Sequence, residues 1–284
     1  MVDAADYQCD FENKWCPGCG NFGIVNAMKN ALAALDLPPE KVLLVSGIGQ
    51  AAKTPHFLKC NFFHGLHGRA LAVATGAKIA NHNIPVLVNM GDGDCYGEGG
   101  NHFLAAIRRN IDVTLLVHDN RVYGLTKGQA SPTSDRGFVT RIQPEGARSD
   151  PMNPVALALS QGAGFVARGY CGSKDQLAGL IRQAVQYPGF SLIDIFQVCV
   201  SFNHVNTYDW YRQRVFDINE NGHQPGDLQA AMKYAYPEGD RIPTGLIYRK
   251  ETVPFTRRIS RLDAGVLLGQ EYDRQRVQSL IRDA

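Results

Sequence analysis

The chain has 284 residues, 44% apolar and 20% charged, which is enough to bury a large core in one or two domains and excludes a disordered or fibrous polymer. Its 29 basic and 27 acidic residues are interspersed and leave a formal charge of +2, so no basic stripe points to nucleic acid. No apolar run approaches the roughly 18 residues of a membrane span, and the start MVDAADYQCD lacks the basic and apolar regions of a signal peptide, so a cytoplasmic protein is expected.

Near the N-terminus WCPGCG sets Cys16 and Cys19 two residues apart. FGIVNAMKNALAALDLPPE then reads as a helix ended by Pro38 and Pro39, and KVLLVSGIG as a strand entering a glycine turn. HGRALAVATGAKIANHN is a second helix, rich in small residues that allow close approach to a sheet. PVLVNM follows as a buried strand, HFLAAIRRN as an amphipathic helix and DVTLLVH as another buried strand. Residues 126–152 are polar and rich in Gly, Pro, Ser and Arg, which suits a long functional loop. Beyond it PVALALSQGAG predicts a helix, FVARGY a short strand, SKDQLAGLIRQAVQ a helix capped by Ser173, and SLIDIFQVCV a buried strand.

This alternation implies an α/β fold with a doubly wound, mostly parallel sheet and ligands at the carboxyl ends of the strands. From 203 onward FNHVNTYDWYRQRVF and RIPTGLIYRKETVPF show no continuing βα rhythm. The expected division is an α/β domain with the N-terminal cysteine motif over 1–202 and an irregular C-terminal extension over 203–284, read as a wrapping segment or a contact between subunits.

The densest chemistry lies in the middle. One strand delivers Gly91, Asp92 and Gly93 into a turn, and a second delivers Asp119 and Asn120 to the same sheet edge, with 26 residues between Gly93 and Asn120. A carboxylate from Asp92 and an amide from Asn120, helped by a backbone carbonyl such as that of Val122, suit Mg²⁺ that keeps positions free for phosphate oxygens. The glycines let backbone N–H groups approach those phosphates, and the start of the following helix favours their charge. GDG, this gap and then Asn resembles the thiamine-diphosphate motif; a glycine-rich βαβ turn that binds nothing is the plainer alternative.

Seven cysteines stand at positions 9, 16, 19, 60, 95, 171 and 199, an odd count that favours metal or redox use over a disulfide framework. In WCPGCG, Pro17 and Gly18 force a turn that points two sulfurs at one place. No second CxxC completes a zinc site, and no strand precedes the motif as it would in a thioredoxin-like pair. An iron–sulfur cluster, zinc, a redox pair and inert buried thiols all remain open from the local motif.

Taken in order, WCPGCGNFGI, VSGIGQAAKTPHF, HGLHGRALAVATGAKIA, GDGDCYGEGGNHFLAAIRRNI, HDNRVYGLTKGQASPTS and CVSFNH resemble one family, the thiamine-diphosphate-binding beta subunits of 2-oxoacid:ferredoxin oxidoreductases, in their archaeal-type two-subunit branch. The motifs cover about residues 15–205. The resemblance implies coenzyme A-dependent oxidative decarboxylation of a 2-oxoacid such as pyruvate or 2-oxoglutarate. Electrons would leave through a [4Fe-4S] cluster to ferredoxin, in a heterodimer with an alpha subunit. It also implies site roles. Asp92, Asn120 and the Val122 carbonyl would hold Mg²⁺, while Gly93, Asp94, Gly124 and Leu125 would line the diphosphate and its surroundings. Ile48, Gly49, Gln50, Ala51 and His67 would contact the cofactor. Lys53 would meet the substrate carboxylate, and Leu125 would shape the side-chain pocket. Cys16, Cys19 and Cys199 would bind the cluster. The glutamate that activates the cofactor is expected from the alpha subunit, Glu98 being read as structural.

One position departs from the family: Gln50 stands where the fourth cluster cysteine is expected. A non-thiolate ligand, a three-iron cluster or substitution by Cys60 could answer this. Two other functions also stay open: a non-oxidative thiamine-dependent decarboxylase or transferase, and a metal-stabilised binding subunit without catalysis.

Overall fold

A computed structural model describes residues 1–263 and 265–283. The chain opens with helix α1 (Asn21–Ala34) and strands β1 (Leu43–Ser46) and β2 (Asn61–His64). Helix α2 (Ala70–Ala80), β3 (Val86–Gly91), α3 (Gly100–Arg109) and β4 (Thr114–Asp119) follow. A short antiparallel pair, β5 (Val122–Tyr123) and β6 (Gln129–Ala130), begins the long loop. Then come α4 (Pro154–Ser160), β7 (Phe165–Tyr170), α5 (Lys174–Val185) and β8 (Ser191–Phe196). After these lie α6 (Tyr208–Arg212), β9 (Val215–Asp217), α7 (Leu228–Ala235) and β10 (Ile242–Arg249).

The main sheet has the order β2-β1-β3-β4-β8-β7-β10-β9. Its first six strands are parallel, as expected of the doubly wound pattern. β10 joins β7 antiparallel, and β9 adds to β10. The reading that no βα rhythm continues past 203 is therefore corrected. RIPTGLIYR became a strand although Pro243 and Gly245 spoil its pattern, because β7 offered an open edge, and a helix, Arg274–Arg282, lies beyond it.

Each central strand is buried on both faces, which is why its sequence reads as a continuous apolar run. In β4, Leu116 faces one core, packed with Ile24, Met28 and Leu32 of α1 and Leu177 and Ile181 of α5. Leu115 and Val117 face the other, with Phe103 and Ile107 of α3 and Val155 and Leu159 of α4. Burying each such side chain contributes roughly 1.5–3 kcal/mol. Two local expectations shift. Helix α1 stops at Ala34, ahead of the prolines, where Asp36 takes a left-handed conformation (φ 52°). Ser173 does occupy the N-cap of α5, but its side chain makes no capping bond.

A buried polar chain crosses the sheet. His118 Nδ1 donates to Asn21 Oδ1 (2.8 Å) at the start of α1, and its Nε2 accepts from Asn89 Nδ2 (3.0 Å) on β3. These bonds fix α1, and with it the preceding cysteine turn, against the strands that carry the site. No helix among the described residues is long and apolar enough to cross a membrane.

Candidate active site

The carboxyl ends of β1, β3 and β4 open into a cleft. Ile48, Gly49, Gln50 and Ala51 form one wall, Asp92, Gly93 and Asp94 the floor, and Asn120, Val122, Gly124 and Leu125 the facing wall, with His67 at the side. Residues far apart in sequence thus meet because adjacent parallel strands end at one edge. Lys53 does not line this cleft: it sits half-buried on the 3₁₀ helix Ala51–His56 just beyond Ala51.

The chain leaves β3 through a π-helical turn, Gly93–Glu98, before α3 begins at Gly100. A Cβ on Gly93 would run into the Tyr123 ring, and one on Gly47 into the Asp94 carboxylate, so both turns close only with glycine. Asp94 organises the surroundings. Its Oδ1 accepts from Gly68 N (2.7 Å), His67 Nδ1 (2.7 Å) and Ile48 N (3.2 Å), while Oδ2 is buried without a partner. Burial pushes the Asp94 carboxyl above its ordinary range despite those donors. One side chain therefore locks the GIG turn and the HGRA segment together, its second oxygen packed against Gly47.

Asp92 is buried, and its Oδ2 accepts from Thr133 Oγ1 (2.6 Å) and Ser131 Oγ. Both hydroxyls meet the same oxygen, so neither holds the second one. Asn120 Oδ1 accepts from Val122 N (3.0 Å), an Asx turn that Arg121 completes in the left-handed region (φ 60°). A carboxylate, an amide oxygen and the Val122 carbonyl on one cleft form an all-oxygen donor set of the kind Mg²⁺ takes. The residues fit a magnesium-bound diphosphate. Ser131, Thr133 and Asp119 had no role in the sequence reading, and the paired hydroxyls of SPTS in the polar loop were the available signal.

A second hollow adjoins the first, sharing part of its lining. Cys16, Cys19 and Cys199 line it, brought together because the cysteine turn lies against the chain leaving β8: Gly20 N donates to Val198 O (2.9 Å). Ser201 Oγ lies 3.0 Å from Cys16 Sγ and Gln197 Nε2 3.5 Å from Cys19 Sγ, both placed to donate to a thiolate. Burial pushes the Cys19 thiol up to about 12, so loading a metal must displace its proton. Gln50, Asn120 and Gly124 belong to the walls of both cavities. Cys60 does not reach the cavity; its Sγ is directed to Leu58 O, which removes it as the substitute ligand.

Among the described residues no three His, Cys, Asp or Glu side chains come close enough to hold a single metal ion. The thiols share a cavity instead of one point, an arrangement that fits the wider ligand spacing of a multi-iron cluster.

Residues 45–195 match the family described as "Thiamine pyrophosphate enzyme, C-terminal TPP binding domain", and residues 199–264 match the family of the C-terminal region of the pyruvate ferredoxin oxidoreductase beta chain. The chain is 46% identical over 254 residues to a 2-oxoacid:ferredoxin oxidoreductase subunit beta from Sulfolobus sp, covering 85% of this chain and 83% of that protein. It is 46% identical over 198 residues to the 2-oxoglutarate oxidoreductase subunit KorB of Mycobacterium tuberculosis, covering 70% of this chain and 53% of the relative. A solved 2-oxoglutarate:ferredoxin oxidoreductase from Magnetococcus marinus, with 2-oxoglutarate, coenzyme A and succinyl-CoA bound, superposes with a TM-score of 0.92 at 38% identity, over 98% of this chain and 96% of that one. With the glycine-rich cleft, the cysteine cavity and these likenesses in agreement, the chain belongs to the beta subunits of the 2-oxoacid:ferredoxin oxidoreductases.

Proposed function

We propose that this chain, paired with an alpha subunit, oxidatively decarboxylates a 2-oxoacid on thiamine diphosphate, forms an acyl-coenzyme A and sends the electrons through an iron–sulfur cluster to ferredoxin. One observation carries the reading. The oxygen-lined cleft and the cysteine cavity share Gln50, Asn120 and Gly124, so a cofactor and a cluster would be separated by little more than one layer of side chains. When bound, thiamine diphosphate supplies the electron sink for loss of carbon dioxide.

The chain's own residues hold and orient. Asp92, Asn120 and the Val122 carbonyl hold Mg²⁺, and Ser131 and Thr133 fix Asp92. Asp94 fixes His67 and Ile48 against the cofactor. Leu125 bounds the substrate side chain, and Lys53 meets its carboxylate. The glutamate that activates the cofactor comes from the alpha subunit. The segment after β10 packs against another subunit, which its exposed Leu268, Tyr272, Leu280 and Ile281 support. The complex works in the cytoplasm.

The test is the iron, acid-labile sulfide and thiamine diphosphate content of the anaerobically purified complex, with electron paramagnetic resonance spectra before and after adding pyruvate or 2-oxoglutarate. A substrate-reduced cluster signal is the expected result. Thiamine diphosphate without iron would move the protein to non-oxidative chemistry, and a complex that binds neither would leave it a binding subunit.

A further inference from the structure

We propose that the cysteine cavity holds its cluster by three thiolates only, with a fourth, exchangeable iron at a corner that faces Gln50. The inference rests on the cluster reading of the proposed function and adds the chemistry of the open corner.

Three of the seven cysteines line the cavity, and the other four cannot serve it. Cys95 is fully buried in the core on the far face of the sheet, among Tyr96 and Phe103. Cys171 is buried behind Gly20, where a Cβ would already collide with its sulfur. Cys60 is turned toward Leu58 O, and Cys9 lies near Cys60. Gln50 closes the cavity on the side of the cofactor cleft. Its position is fixed by the cysteine turn itself, because the Trp15 indole N–H donates to Gln50 O at 2.9 Å. Residue 50 is therefore held beside Cys16 whatever its side chain, and here that side chain is a neutral carboxamide.

A cubane has four irons and needs a ligand at each. Exchanging one thiolate for a neutral oxygen donor or water removes one negative charge, which raises the reduction potential and weakens the hold on that iron. A one-electron oxidant such as ferricyanide takes [4Fe-4S]²⁺ to [4Fe-4S]³⁺. This releases one Fe²⁺ and leaves [3Fe-4S]⁺, so iron, sulfide and charge balance. Fe²⁺ with a one-electron reductant reverses the change.

The experiment uses the alpha–beta complex purified without oxygen, titrated with ferricyanide and followed by paramagnetic resonance and iron analysis. The wild type should lose about one iron per cluster and give the three-iron signal. Isotopically labelled Fe²⁺ with reductant should then enter that single position, a readout that needs no variant. Gln50→Cys should keep all four irons under the same oxidant and titrate at a more negative potential. A wild-type cluster that keeps four irons as firmly as Gln50→Cys and exchanges none would overturn the proposal while leaving the cluster reading intact. A complex that carries thiamine diphosphate but neither iron nor sulfide would overturn both.

Discussion

Asp92 and Asp119 meet at one hydroxyl: Thr133 Oγ1 lies 2.6 Å from Asp92 Oδ2 and 2.7 Å from Asp119 Oδ1. A hydroxyl has one proton and donates to only one carboxylate at a time. With both oxygens at bonding distance, the two carboxylates compete for that proton. Burial first, and the charge of Asp119 second, push the Asp92 carboxyl upward. A divalent cation held by Asp92 would offset that crowding of negative charge.

Thr133→Val keeps the shape of the side chain and deletes the shared hydroxyl. Because Thr133 orients a proposed metal ligand without touching the metal, the variant should lose about 10–100-fold in Mg²⁺-dependent thiamine diphosphate affinity. Calorimetric titration checks this, and an unchanged affinity would remove Thr133 from the site.

Asp94→Ala strands the buried donor of Gly68 and the part-buried donors of Ile48 and His67. Leaving one buried donor unpaired costs about 1–3 kcal/mol, so the variant should melt below the wild type and fail to retain thiamine diphosphate. Asp94→Asn, which keeps an acceptor oxygen, should recover most of the melting temperature and only part of the binding. Equal melting of all three proteins would show that the three-way bond contributes nothing.

Asp194 gives a pH signature outside the metal site. It is buried on β8, accepts from Tyr96 Oη at 2.7 Å, and is pushed from an ordinary 3.8 up to about 7, chiefly by burial and then by Asp119. Between those values the native chain binds more protons than the unfolded one. The stability this group gives is complete below its unfolded value and is lost as pH rises through its folded value, at most about 1.4 kcal/mol per pH unit. Denaturant titration of Asp194→Asn beside the wild type should show the gap moving in favour of the variant between about pH 4 and pH 7. A gap that stays constant across that window counts against the assignment.

Lys53 stands beyond the cleft wall, and the part proposed for it concerns the substrate and not the cofactor. Lys53→Ala should raise the KM for a 2-oxoacid by about 10–100-fold, the loss of one charge-assisted hydrogen bond. Thiamine diphosphate content should stay at the wild-type level. Loss of cofactor with unchanged KM would place the lysine in folding instead.

The order of strands and helices was readable because buried parallel strands such as β4 are continuous apolar runs, while α3 shows a clear one-sided pattern. β9 and β10 were not readable. Their stability comes from pairing at the edge of β7, a partner that no local pattern of Ile242–Arg249 records. Asp92, Asn120 and the cysteines could be picked out because their types and spacing belong to a chemistry. Ser131 and Thr133 were harder to pick out: SPTS offers paired hydroxyls, but a hydroxyl in a polar loop does not by its type tell whether it faces water or a buried carboxylate.

By itself the sequence determined the α/β alternation and the inventory of oxygen and sulfur donors. These follow from local apolar patterning and from side-chain chemistry. Tertiary structure decided which donors share a volume. It placed Gln50 on the wall between two cavities, set Lys53 off the cleft, turned Cys60 away, and brought Thr133 between Asp92 and Asp119. The physical reason is that adjacency across parallel strands depends on strand order and register, which the whole core fixes at once.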